Sequence, residues 1–130
     1  MAQSDRTARA EALLDEIFTP AWREWKGGVP WPSEAGRDFA RLCVEHCYAD
    51  AWGRKGSLDL KTRSLVTMTA LVALGSTEEL KLHVRGALSL GHSPDDVVEL
   101  LIHLLPYLGV PRLVHAMRCA AEAMKERAEP

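Results

Sequence analysis

An all-α fold, a compact bundle of about six helices, is what the sequence predicts, on three observations. Apolar residues recur at helical period in each long segment. Gly, Pro and capping residues punctuate the chain at helix-length intervals, and valines and isoleucines never alternate with polar residues over a strand-length stretch. With 130 residues, 47% of them hydrophobic and 26% charged, the chain suits one domain spanning residues 1–130.

The first helix is expected from about Asp5 to Phe18, with Leu13, Leu14 and Ile17 on one side and Pro20 beyond its end. The segment from Pro20 to Pro32 holds Trp22, Trp25, Trp31, Gly27, Gly28 and Pro30, which reads as an ordered loop packed by indoles. Ser33 is the N-cap of a second helix, in which Phe39, Leu42, Cys43, His46 and Cys47 share a face before Gly53 ends it.

Asp59 caps a third helix from Leu60 to Leu74. Leu65, Val66, Met68, Ala70, Leu71, Val72, Ala73 and Leu74 leave it little polar surface, so it is expected at the centre of the fold. Gly75 stops it, and Ser76-Thr77-Glu78-Glu79 has the spacing of a capping box for the fourth helix. That helix lines up Leu80, His83, Val84, Ala87 and Leu88 and stops at Gly91. Ser93-Pro94-Asp95-Asp96 opens a fifth helix with a cap, a proline at the first helical position and two carboxylates at the positive end of the dipole. It runs to about Tyr107. Gly109 and Pro111 precede the last helix, Arg112 to about Arg127, with Leu113, Ala116, Met117, Ala120 and Met124 as its buried face.

Sixteen Lys and Arg against eighteen Asp and Glu give a net charge of -2, without the basic field that phosphate backbones attract, so nucleic acid is not the expected partner. No apolar run approaches the roughly 20 residues of a membrane span, and the N-terminus lacks a signal peptide's apolar stretch. A cytoplasmic location without membrane attachment is expected. The three cysteines, Cys43, Cys47 and Cys119, are expected to pack as small buried hydrophobes rather than as a disulfide framework. Leu100 to Leu105, with Leu108 and Val110, offer more apolar surface than a six-helix monomer covers, which points to a homo-oligomer.

Among titratable residues His83 is the most informative. It lies one turn from Glu79 on an apolar stripe, where burial and a carboxylate would act on its pKa; the alternative is a core histidine with both nitrogens satisfied. His103 follows Glu99 by one turn in the same way. Arg63, near the start of the third helix, either anchors a carboxylate or pairs with Asp59. His46 and His115 are free to face solvent, and His92, after a helix-ending glycine, is expected on the surface. No histidine and carboxylate pairs converge into three or four ligands, so no metal is expected. No phosphate-cradling glycine loop occurs either. The candidate chemistry is acid/base work without a cofactor.

Asp59-Leu60-Lys61-Thr62-Arg63-Ser64-Leu65, Glu79-Leu80-x-x-His83-x-x-x-Ala87, Gly91, Glu99 and Tyr107-x-Gly109-x-Pro111 together resemble the carboxymuconolactone decarboxylase family over roughly residues 51–124. Ala51-Trp52-Gly53-Arg54 makes the chain more similar to the decarboxylase branch than to the alkylhydroperoxidase D-like branch. The latter carries Cys-x-x-Cys ahead of the histidine, at positions that are Ser76 and Glu79 here, so thiol exchange with a peroxide has no nucleophile in that motif.

The resemblance implies an alkylhydroperoxidase D-like helical fold, assembly as a homotrimer or homohexamer, and sites near subunit contacts. It also implies cofactor-free loss of carbon dioxide from a small anionic substrate such as 4-carboxymuconolactone, in aromatic-compound degradation. In that reading His83 and Glu79 are catalytic. Arg63, Arg85, His103, Glu99 and Tyr107 bind substrate, with Leu80, Val84 and Leu104 as apolar lining. Two other readings are a thiol-dependent antioxidant protein using Cys43, Cys47 or Cys119, and a non-catalytic oligomeric module binding through Trp22, Trp25, Trp31 and Trp52.

Overall fold

The computed structural model describes residues 5–20, 22 and 32–128, and no strand occurs among them. Six α-helices form, as expected: α1 (Asp5–Phe18), α2 (Glu34–Val44), α3 (Leu60–Leu74), α4 (Thr77–Ser89), α5 (Pro94–Leu108) and α6 (Val110–Ala128). α2 runs on into a π-helical segment, Glu45–Trp52, which the sequence reading treated as ordinary helix. The indole-rich stretch holding Trp25 and Trp31 lies outside the described residues. The chain resolves into two compact units, residues 1–57 and 58–130.

In the first unit, α1 turns Ala10, Leu14 and Ile17 inward, and the π-helical segment buries Glu45, Ala49 and Trp52. Rings at the seam interlock, Phe18 edge-on to Tyr48 at 6.0 Å and Tyr48 stacked on Trp52 at 6.2 Å. Glu45, only 1% exposed, is matched by several donors: the Thr7 hydroxyl donates to it, Arg41 Nη1 lies at 3.2 Å and Arg6 Nη1 at 3.5 Å. Removing one partner of such a buried charge costs more than the pair contributes, so this network fixes how α1 meets the segment. Trp22 joins through its indole N–H, which donates to Asp15 at 2.7 Å.

Two expectations for this unit fail. Phe39 and Leu42 are exposed, and so are Cys43 and Cys47, because the residues turned inward are Gly36, Glu45, Ala49 and Trp52 on the other side of the helix. Cys119, in the second unit, is the cysteine that is buried.

The second unit is a four-helix assembly whose core runs through Met68 and Val72 of α3, Leu80, Val84 and Ala87 of α4, Val97, Leu101 and Leu104 of α5, and Leu113, Ala116, Ala120 and Ala123 of α6. Cutting the fully buried Met68 back to Ala is expected to cost about 2 to 5 kcal/mol. α3 is not central, contrary to expectation. It buries the row Ser64, Met68 and Val72 fully, packs Leu65 and Leu71 partly against the core, and leaves Val66 and Leu74 exposed, the latter at 75%. Its apolar residues outnumber the one face that neighbouring helices cover. Ile102, Leu105, Val114 and Met117 of α5 and α6 are likewise exposed, around a shallow groove of about 190 Å³.

Helix ends follow local chemistry. Asp59 accepts from the Thr62 amide at 2.8 Å, and Gly75 takes φ 71° so that its own N–H and that of Ser76 close onto Val72 and Leu71. That closure prevents the expected capping box. The Ser76 N–H is occupied by the Leu71 carbonyl at 3.0 Å, and the Ser76 side chain caps nothing. After α4 the same closure uses Gly91 and His92, which leaves Ser93 available. There the box forms fully, with Ser93 Oγ accepting from the Asp96 amide and the Ser93 amide donating to Asp96.

Candidate functional site

α4 carries His83 where its amphipathic period places it, on the buried stripe with Leu80, Val84 and Ala87. The imidazole residue is 7% exposed, and burial pushes its pKa down from 6.5 to about 4. His83 is therefore neutral at pH 7. Glu79, one turn earlier, is exposed at the solvent end of the same stripe. A neutral imidazole in such a place is a hydrogen-bond donor rather than a proton donor, because it has no dissociable cationic proton to give.

The arginines lie elsewhere. Arg85 is paired with Glu126 on α6, beside the parallel pair Lys81 and Glu122 at 2.6 Å. Arg63, half-buried, donates from Nε to the Leu58 carbonyl at 3.1 Å. Leu80 and Val84, expected to line a substrate pocket, are core residues.

A second constellation assembles around an open cleft of about 570 Å³, a volume typical of small-molecule sites. α3 contributes Lys61, Leu65 and Thr69 from one face. α5 contributes Asp96, Glu99, Leu100, His103 and Leu104, and the α4–α5 connection contributes His92. Of the predicted residues, Glu99, His103 and Leu104 meet here, and the Tyr107 ring lies 5.9 Å from that of His103. Tyr107 itself is 73% exposed. His83, Glu79, Arg63 and Arg85 do not line the cleft.

Lys61, Thr69, His92 and Asp96, with the apolar Leu65 and Leu100, are cleft residues that the sequence reading does not mark as a site. The His92 side chain, expected on the surface, is only 8% exposed. Its Nε2 donates to the Lys61 carbonyl at 2.9 Å and its Nδ1 lies 3.6 Å from Asp96. The Asp96 pKa is held below its ordinary value, first by hydrogen bonds from the Ser93 amide and hydroxyl and then by His92. The spacing of His92 and Asp96, four residues apart, was the available signal; nothing local marks Lys61. Although two histidines and two carboxylates line this cleft, no three such side chains among the described residues converge as a metal site.

Neither Cys47 nor Cys119 has an activated thiol. Burial raises the pKa of Cys47, helped by Cys43, and burial also raises that of Cys119.

Comparison with known proteins gives consistent results. The sequence profile described as the carboxymuconolactone decarboxylase family matches residues 37–122. Over 94 residues, the chain is 35% identical to a 4-carboxymuconolactone decarboxylase of Acinetobacter baylyi, covering 72% of this chain and 69% of that protein. Over 81 residues it is 36% identical to a nitrosuccinic acid decarboxylase of Metarhizium robertsii, covering 62% of this chain and 56% of that protein.

Proposed function

The chain belongs to the carboxymuconolactone decarboxylase family, and on that premise we propose that it is a carboxy-lyase acting without a cofactor on a small acid whose departing carboxylate sits on a carbon able to pass the electron pair of the breaking bond to an electron acceptor. A lactone and a nitro acid, the substrates named for the two relatives, share that feature. When the bond from carbon to the carboxylate breaks, its electron pair moves into the lactone carbonyl or the nitro group, carbon dioxide leaves, and an oxygen acquires negative charge. The carbon later takes a proton. No oxidant or reductant enters.

The observation that supports this reading is the buried, neutral His83 one turn from Glu79. Its N–H is the donor for the developing oxyanion, and a preorganised donor of this kind is worth about 3 kcal/mol in the transition state. Glu79, at the wet end of the stripe, links the centre to solvent, which supplies the proton. Burial around His83 favours the reaction further, because the carboxylate loses its charge as it leaves.

The test is carbon dioxide release from 4-carboxymuconolactone and from nitrosuccinate with no cofactor added. The intact chain is expected to turn over at least one of them. His83→Ala should lower kcat about a hundredfold with unchanged helicity. Normal turnover by that variant, or no release from either acid by the wild-type chain, would overturn the reading.

A further inference from the structure

We propose that the cleft between α3 and α5 is a second binding site, for a small carboxylic acid that carries a hydroxyl or an amine across an apolar body from its carboxylate. Two opposite charges, Lys61 and Glu99, share the cleft without meeting. Lys61 reaches only the Gly91 carbonyl, at 3.5 Å, and makes no ion pair among the described residues. Glu99 has neither a hydrogen bond nor an ion pair among them. A ligand bridging the two satisfies both, with its carboxylate on the ammonium and its donor on the Glu99 carboxylate.

Leu65, Leu100 and Leu104 line the same cleft and give it an apolar floor that fits a flat carbon skeleton. His103 stands beside Glu99, one turn along α5, as a further polar contact for the donor end.

The cleft is also built to hold its shape. Asp96 is committed to Ser93 and His92, and His92 holds the main chain of Lys61, so the ammonium projects from a fixed point. Exposed charges by themselves contribute little, but a ligand that displaces water from this floor strengthens both contacts. α4 contributes no side chain to the lining, so a ligand bound here touches neither His83 nor Glu79. The site therefore stands apart from the proposed reaction centre and does not depend on it.

Isothermal titration of the full chain with 4-hydroxybenzoate, 4-(aminomethyl)benzoate, benzoate and phenol tests this, and the first two compounds separate hydroxyl from amine as the donor. At least one of the first two should bind more tightly than both benzoate and phenol by about tenfold, the cost of leaving one charged partner unsatisfied. Lys61→Met and Glu99→Gln should each weaken that binding by a similar factor, while His83→Gln should leave it unchanged. Equal binding of benzoate, an unaffected Lys61→Met variant, or loss of binding in His83→Gln would overturn the proposal. Failure of decarboxylation in the same preparation would bear on the reaction centre alone.

Discussion

The imidazole of His92 donates a hydrogen bond to the main-chain carbonyl of Lys61 at 2.9 Å, tying the α4–α5 connection to the first turn of α3 across 31 residues of sequence. Because the ring is nearly buried, the contact joins packing to direction. His92→Ala is expected to lower stability by about 1 to 2 kcal/mol in urea denaturation, whereas His92→Gln, which keeps a donor, should recover part of the loss. Equal stability of both variants would show that the ring fills space without directing α3.

Ser76 and Ser93 precede similar acidic patterns, yet they should respond differently to mutation. Ser93→Ala removes a complete capping box and should cost about 1 kcal/mol, while Ser76→Ala removes no capping hydrogen bond and should cost a few tenths at most. Thermal melts of the two variants decide it. Matching shifts in Tm would mean that the box adds nothing to α5.

The same pair explains what could be read from the sequence. Asp59, Gly75, Gly91, Ser93 and Pro94 each act through bonds within a few residues, so the helix boundaries followed from local chemistry. Whether Ser76 caps α4 depended on the closure of α3 having already taken its N–H. A two-residue link cannot serve both helices. Exposure was harder to read, because periodicity identifies Phe39, Leu42, Val66 and Leu74 as apolar but not which helix comes to cover them. The stripe through His83 was visible in Leu80, His83, Val84 and Ala87, which are buried, while Leu88 is only part-buried. The cleft was visible only through Glu99, His103 and Leu104 on α5, since Lys61 and His92 enter it by folding.

Thiol accessibility separates the three cysteines. Cys43 and Cys47 should alkylate in the native protein, slowly at neutral pH at Cys47, whose thiol is raised, and Cys119 only after unfolding. Mass spectrometry after iodoacetamide treatment with and without denaturant distinguishes the sites. Rapid native labelling of Cys119 would contradict its burial. Replacement of all three cysteines should leave decarboxylation intact, because no thiol lies on the stripe that carries His83.

His83 connects stability to pH with a definite sign. Its folded pKa, about 4, lies below the 6.5 of an unperturbed imidazole, so as pH falls through that interval the unfolded chain takes up a proton that the folded chain refuses. Stability contributed by the neutral, buried ring is fully present above pH 6.5 and is lost between pH 6.5 and about 4. The loss amounts to about 3 kcal/mol. Carboxylates that titrate in the same range are common to the wild type and to His83→Gln, so the difference between their stability curves isolates the imidazole. That difference should slope between pH 6.5 and 4 and be flat above, and a flat line throughout would show that His83 is not held neutral by burial. The rate has its own signature. A neutral donor stays competent down to the folded pKa, so kcat should show no inflection near pH 6.5, whereas a charged imidazolium acid would make kcat rise as the pH falls toward 4.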